Sequence, residues 1–143
     1  MTARTKIVEA LATKLKLING SGAYSTNLYG GNVSTRLKFW DEVQDFPYVC
    51  AVPGAEHREY LPGGFKWGII NIALKLYVYG EDSHKRLEDL ISDVEHVVYS
   101  NENLEYETGK FTTEVLINSI ITDEGLLTPY GVGEINLSVR YEV

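Results

Sequence analysis

Residues 66–79, KWGIINIALKLYVY, show the longest strand pattern in this sequence of 143 residues. Apolar side chains occupy both alternating sets of positions, with Ile70, Ile72, Leu74, Leu76 and Val78 on one face and Trp67, Ile69, Ala73 and Tyr77 on the other. Because successive strand residues point to opposite faces, two partly apolar faces indicate a strand that is covered on both sides. We therefore expect this strand to lie in the centre of a sheet.

The segment after Gly80 predicts an amphipathic helix. Asp82 or Ser83 can cap its N-terminus, and apolar residues follow at helical spacing, at Leu87, Leu90, Ile91, Val94, Val97 and Val98. Acidic residues fall largely outside this apolar stripe, at Glu88, Asp89, Asp93 and Glu95. We expect the outer side of this helix to be acidic and solvated.

The flanking sequence predicts one more helix and four more strands. A helix over residues 5–18 has an apolar stripe at Ile7, Leu11, Leu15 and Ile18, and it ends at Asn19-Gly20. The strands are predicted at residues 33–40, 46–52, 111–121 and 133–143. This order indicates an α+β fold in a single domain spanning residues 1–143: a mainly antiparallel sheet of about four to five strands with two amphipathic helices on one face.

Composition places the chain among cytosolic globular proteins. Hydrophobic residues make up 44% of the sequence, enough for a packed core. Cys50 is the single cysteine, which excludes an internal disulfide and a zinc-binding cysteine cluster. The N-terminus is too charged for a signal peptide, and no apolar run is long enough to span a membrane. We expect a soluble protein that is intracellular at synthesis.

The net charge of −7 is distributed unevenly along the chain. Residues 1–38 contain six Lys and Arg against one acid, a net charge of +5, whereas residues 39–143 contain seven against nineteen, a net charge of −12. One interpretation is a helix with a solvated basic face. The other is a protein that stacks on copies of itself or on unlike partners, since surfaces of opposite sign steer association. The overall acidity argues against a protein that grips nucleic acid.

Candidate catalytic, metal and phosphate sites lack the groups that their chemistry needs. His57 lies between Glu56 and Glu59, but no nucleophile motif accompanies it, and Cys50 lies in an apolar strand. The spacing of Asp93 and His96 suits one metal ion on a helix, yet further ligands are not apparent and a solvated helix face is the favoured interpretation. The glycine-rich segments match neither dinucleotide-binding nor P-loop spacing. We expect no catalytic residue, cofactor or metal, and hence no enzyme.

A Pro- and Gly-bounded stretch follows the predicted strand at 46–52. Pro53-Gly54 and Pro62-Gly63-Gly64 bracket residues 56–61, which can extend two strands beyond the body as a polar hairpin. This hairpin is either an exposed loop or an arm that pairs with a neighbouring subunit. The polar loop at residues 21–32 admits the same alternatives, because it carries Tyr24 and Tyr29 and tyrosine is enriched at interfaces.

Three local runs resemble those of a known family. They are FPYVCAVPGAEHREYLPGG at 46–64, LYVYGEDSHKRLEDLISDVEHVV at 76–98 and GLLTPYGVGEINLSVRYEV at 125–143. Together with the opening helix that ends in a Tyr-containing loop, they make nearly the whole chain similar to the lambda-type tail terminator proteins of long-tailed bacteriophages.

The resemblance implies a structural virion protein that assembles into a hexameric ring on the last ring of the tail tube. Such a ring stops tube polymerisation and offers the surface to which the neck of the head attaches, while DNA passes through an acidic lumen without specific binding. It implies assembly in the host cytoplasm and a place at the tail–neck junction, with no membrane. Local composition assigns the contacts with neighbouring subunits or the tube to Tyr24, Tyr29, Glu56, His57, Arg58, Glu59 and Tyr60.

Two alternatives to the terminator remain. One is another tail-tube or neck protein, which would polymerise alone or bind the portal side only. The other is a small ligand-binding or enzymatic α+β domain with a pocket between its sheet and helices, which a buried polar cluster in a cleft would favour.

Overall fold

A five-stranded sheet organises the chain, which a computed structural model describes over residues 2–143. In chain order the elements are α1 (Ala3–Leu15), β1 (Val33–Ser34), β2 (Tyr48–Tyr60), β3 (Lys66–Tyr79), α2 (Ser83–Tyr99), β4 (Glu105–Glu107), β5 (Lys110–Phe111), β6 (Glu114–Thr122) and β7 (Tyr130–Glu142). The sheet has the order β1-β2-β3-β7-β6, and β4 and β5 form a separate two-stranded sheet. The α+β prediction is confirmed.

The strand at 66–79 is central, as its two apolar faces predict. β3 pairs antiparallel with β2 on one side and with β7 on the other, so that Ile70 lies between Glu56 and Val139. β6 continues the antiparallel pattern beyond β7, and only the short β1 runs parallel to its neighbour β2. The strands therefore alternate in direction from β2 to β6.

Both helices cover one face of this sheet and bury a shared core. α1 lies over β1 and β2, whereas α2 lies over β3, β7 and β6. The core joins α1 residues such as Leu11 to α2 residues such as Leu90 and to the strand residues Leu74 and Leu137. None of the helices within residues 2–143 combines the length and the apolar character needed to cross a bilayer.

Helix α1 is shorter than the apolar spacing predicts. It ends at Leu15, where the N–H groups of Leu17 and Ile18 bond the carbonyls of Lys14 and Leu15, each at 3.1 Å. This tighter turn keeps Ile18 fully buried although it lies outside the helix. The apolar repeat therefore continues one turn beyond the helix itself.

The predicted strand over residues 33–40 is wrong beyond its first two residues. The Ser34 hydroxyl donates to the Arg36 carbonyl and accepts from the Arg36 N–H, which turns the chain away from the sheet. The chain then crosses the other face, where Val43 packs against Tyr48 and Tyr77 in a second, smaller core. Leu37 and Phe39, whose alternation predicted a strand, are exposed residues of this loop.

Strand β2 continues through Pro53-Gly54, beyond the end of the strand predicted at 46–52. The extra residue forms a bulge between Pro53 and Glu56, after which pairing with β3 resumes as far as Tyr60. The hairpin does not project beyond the body, because β7 pairs with β3 over the same level, to Trp67 and Glu142. Within the hairpin, the outer edge of β2 is the side that no other strand of residues 2–143 covers.

Candidate assembly surfaces

The predicted interface residues of the hairpin form a cluster around Glu56. The Glu56 side chain is only 8% exposed. It accepts hydrogen bonds from Arg58 at 2.6 Å, from the Tyr141 hydroxyl at 3.0 Å and from Arg4 at 3.2 Å. Burial raises the pKa of Glu56, but these hydrogen bonds together outweigh it and hold the pKa below its ordinary value. Glu56 thus ties α1, β2 and β7 together and is not an open contact residue.

The remaining hairpin residues divide between the two faces of the sheet. His57 and Glu59 share the face opposite the helices, as strand alternation predicts, and Glu59 pairs with Arg140 at 3.4 Å. Tyr60 is 71% exposed, and Lys66 lies 5.9 Å from the centre of its ring. Tyr60 and the turn residues after it therefore form a solvent-facing tip, which we call the hairpin end.

Tyr29 lies at the opposite end of the sheet from the hairpin, beside Phe46 and Tyr79, whereas Tyr24 lies in the helix layer beside α2. Tyr24 packs against the core and meets the His96 ring edge-on, with 5.6 Å between ring centres. Tyr29, in contrast, is 70% exposed, at a positive φ of 54°. The structure therefore does not bring the two predicted interface segments together, and Tyr24 acts as a packing residue.

The loop at residues 21–32 is held by a buried carboxylate. Asp93 on α2 is only 2% exposed. It accepts hydrogen bonds from the Ser25 N–H at 3.1 Å, the Thr26 N–H at 2.7 Å and the Thr26 hydroxyl at 2.5 Å. The expectation of a solvated Asp93 is wrong, because the helix flank on which it lies is covered by this loop. The signal in the sequence is its position beside the apolar stripe, one residue before Val94.

The buried Asp93 carboxylate is relevant to the alternative that the chain is a ligand-binding domain. Asp93 is a buried polar group between elements, the feature that would favour a pocket, but loop donors occupy it. Among residues 2–143 there is no group of three or more His, Cys, Asp or Glu that could hold a metal ion. Asp93 with Ser25 and Thr26 therefore anchors the loop at residues 21–32 to α2.

Aromatic side chains gather at the same end of the sheet as Tyr29. Trp40, Phe46 and Tyr79 surround Tyr130, with ring centres between 4.8 and 5.9 Å from that of Tyr130. A groove of about 470 Å³ runs beside them and is lined by Tyr29, Phe46, Tyr79, Arg86 and Asp89, among others. We call this surface the aromatic end. No local sequence pattern indicates this surface, since its members come from four separate segments.

The basic N-terminal region divides into a paired part and an open part. Arg4 and Lys6 form ion pairs with Glu56 and Glu107. Lys16, Arg36 and Lys38, with the single acid Glu9, line a groove of about 520 Å³ between α1, β1 and the following loop. We call it the basic groove, and it lies on the flank of α1 that faces away from α2 because β1 is the outermost strand.

Open strand edges and exposed aromatic ends are typical of a subunit that works through contacts with other protein chains. The chain belongs to the bacteriophage tail tube terminator proteins: the family model with the description "Bacteriophage Tail Tube Terminator Protein" matches residues 1–143. The resemblance found in the sequence is confirmed, and the chain is a structural protein of the phage tail.

Two individual comparisons agree with this family. The chain is 38% identical over 154 residues to the tail tube terminator protein p142 of Escherichia phage T5, an alignment that covers 99% of this chain and 95% of that protein. A chain in the solved virion of a native gene transfer agent particle has a TM-score of 0.62 at 11% identity, with 94% of each chain covered. The likeness to the gene transfer agent chain shows that the two chains share a fold.

Proposed function

We propose that six copies of this chain form a ring that closes the tail tube, stops its polymerisation and presents a docking surface to the neck. The observation that carries the proposal is the family match over the whole chain, supported by the T5 terminator at 38% identity. On this proposal the chain acts as one domain by assembly alone and performs no catalytic reaction.

The two ends of the sheet suit the two faces of such a ring. β3 has 14 residues, so the hairpin end and the aromatic end are separated by roughly 45 Å along the strands. Large apolar side chains are exposed at both, including Tyr60 and Phe65 at the hairpin end and Tyr29 and Tyr79 at the aromatic end. We assign one end to the tube and the other to the neck.

The sheet face opposite the helices has the polarity and charge expected of the surface that lines the central channel of the ring. Beyond the small core around Tyr77, its strand residues are polar or partly exposed, among them Asn71, Asn136 and Ser138. Its charged strand residues include the acids Glu59, Glu114, Glu134 and Glu142 and the cations Lys75 and Arg140. Both cations are in ion pairs with these acids. The remaining negative charge would repel phosphate and let DNA pass without binding.

Length control of tail tubes tests the proposal. Purified chain is mixed with the tube protein of the same phage during polymerisation, and tube lengths and tube ends are measured by electron microscopy. We expect short tubes of limited length that each end in an added ring, with the mass of a hexamer released on dissociation. Open-ended fibres of the chain alone would instead identify a tube protein, and a monomer without effect on tubes would return the question to a ligand-binding domain.

A further inference from the structure

We infer that neighbouring subunits in this ring join edge to edge, with the outer edge of β6 paired to the outer edge of β2 in the next subunit. Across the same junction, the basic groove beside α1 meets an acidic flank of α2. The inference rests on the proposed ring and adds which surfaces close it. It makes the six sheets one continuous barrel wall.

Strand β6 is an exposed edge with little of the usual protection against pairing, namely one bulge between Ile117 and Ser119. Its nine residues, EVLINSIIT, contain one charged residue and neither lysine nor proline. Leu116, Ile120 and Ile121 are 45%, 42% and 54% exposed. Soluble proteins commonly guard such edges with charges, proline or short length, because a long apolar edge recruits another strand. Strand β6 is therefore suited to a partner strand.

Strand β2 offers a matching edge on the opposite side of the molecule. β1 covers only its residues Val49 and Cys50, and no other strand within residues 2–143 pairs with its outer side. The Leu61 N–H donates to the Phe65 carbonyl at 2.9 Å across the hairpin. By strand alternation, the N–H and C=O groups of Glu56, Arg58 and Tyr60 then point away from β3.

The backbone groups of β6 follow the same alternation. The Asp123 N–H donates to the Val132 carbonyl at 2.9 Å, so the backbone groups of Asp123 point toward β7. By alternation, those of Thr122 and Ile120 point away from β7. Across the bulge, those of Ile117 point away as well. The strands alternate in direction from β2 to β6, so β2 and β6 run in opposite directions. In a ring, rotation about the central axis keeps these directions, and the β2 of the next subunit therefore runs antiparallel to β6. Both edges thus offer unpaired donors and acceptors in the orientation that an antiparallel ladder requires.

The helix layer adds charge complementarity to this junction. Asp93 and His96 fix the flank of α2 that faces the loop after α1. Glu88 and Glu95 are seven residues apart, and helical spacing puts them in one stripe on the flank of α2 opposite Asp93. Because α2 packs on β3, β7 and β6 while α1 packs on β1 and β2, we assign this flank to the β6 side of the sheet. The basic groove with Lys16, Arg36 and Lys38 lies above the β1 and β2 side. Edge-to-edge docking brings these opposite charges to the same side of the sheet, where they favour one register of association.

Paired cysteines test the strand contact. Arg58→Cys is combined in turn with Ile117→Cys and Ile120→Cys, which sample two registers, and the proteins are oxidised with copper phenanthroline in the presence of tail tubes. We expect at least one combination to give a ladder of cross-linked species up to the ring, and single variants to give none. The control pair Arg58→Cys with Lys85→Cys, on the outer side of α2, should give no ladder. Dimers from Arg58→Cys alone, or no ladder from either pair, would overturn the inference.

Charge exchange tests the helix-layer contact independently. Lys16→Glu with Arg36→Glu, or Glu88→Lys with Glu95→Lys, should each reduce ring formation at least tenfold at moderate ionic strength, and the variant carrying all four changes should recover it. Lys85→Glu is the matched control and should assemble normally. Failure of the fourfold variant to recover while it remains folded would contradict the charge contact.

The two levels of proposal fail in different ways. If the unmodified chain shortens tubes but neither cysteine pair cross-links, the terminator function stands and the edge-to-edge junction is wrong. If the unmodified chain neither shortens tubes nor forms rings, the proposed function itself is wrong.

Discussion

Replacement of Asp93 should detach the loop at residues 21–32 from α2. The carboxylate is 2% exposed and receives two backbone N–H groups and one hydroxyl from Ser25 and Thr26. Asp93→Ala removes the acceptor and leaves these donors without their partner in a partly buried site. The loop also supplies Leu28, which is fully buried, so its detachment would open part of the core.

The expected loss follows from the number and kind of these bonds. A hydrogen bond to a charged group contributes about 1.5–3 kcal/mol to stability, and neighbouring bonds are not additive. We therefore expect Asp93→Ala to lower the free energy of unfolding by about 3 kcal/mol. For a chain of this length that corresponds to a fall in Tm of about 10 °C. Denaturant unfolding and calorimetry measure both quantities.

Asp89→Ala is the matched control on the same helix. Asp89 lies one turn before Asp93, is 41% exposed in its side chain and pairs with Lys85 at 3.2 Å. Its replacement should change stability by less than about 0.5 kcal/mol. Hydrogen exchange at Ser25 and Thr26 should accelerate in the Asp93 variant only. Stability of Asp93→Ala within about 0.5 kcal/mol of the unmodified chain would refute the anchoring role.

Three further predictions concern other parts of the molecule. The pKa of Glu56 is lowered in the folded chain, so the ionised carboxylate stabilises the fold at pH values above the pKa of Glu56 in the unfolded chain. This stabilisation is lost as the pH falls through the folded pKa. Glu56→Gln should therefore remove this part of the acid dependence of stability in unfolding titrations. Gly68→Ala should destabilise by about 1–3 kcal/mol, since an added Cβ would lie 2.4 Å from the Tyr141 ring, whereas Gly31→Ala, which meets nothing within 4 Å, should be neutral in the same assay. Tyr60→Ser should leave Tm unchanged yet weaken tube capping or neck attachment; normal assembly on both sides would exclude Tyr60 as a contact.

Sequence patterns predicted most elements because local periodicity reflects which face of each element is buried. The alternation at 66–79 identified the central strand, and the spacing from Leu87 to Val98 identified α2. The errors occurred where a single contact overrides the pattern. The Ser34 side chain ends β1 after two residues, and the bulge after Pro53 lets β2 continue.

The predicted assembly residues show the same limit. Local composition assigned Tyr29 and Tyr60 to contacts with neighbouring subunits or the tube; both side chains are exposed, and the contacts themselves stay a prediction. It also assigned such contacts to Glu56 and Tyr24, whose side chains contact partners far away in the chain, at Arg4, Tyr141 and His96. Partners that are distant in sequence leave no trace in a local run.

The sequence by itself determined the α+β class, the central strand, the second helix and the resemblance to tail terminators. These depend on periodicity and on the order of elements, both of which are local or linear properties of the chain. The tertiary structure alone decided which strand edges are open, which charges are paired and which polar residues are buried. Those properties depend on contacts between distant segments, such as Asp93 with Thr26 and β3 with β7.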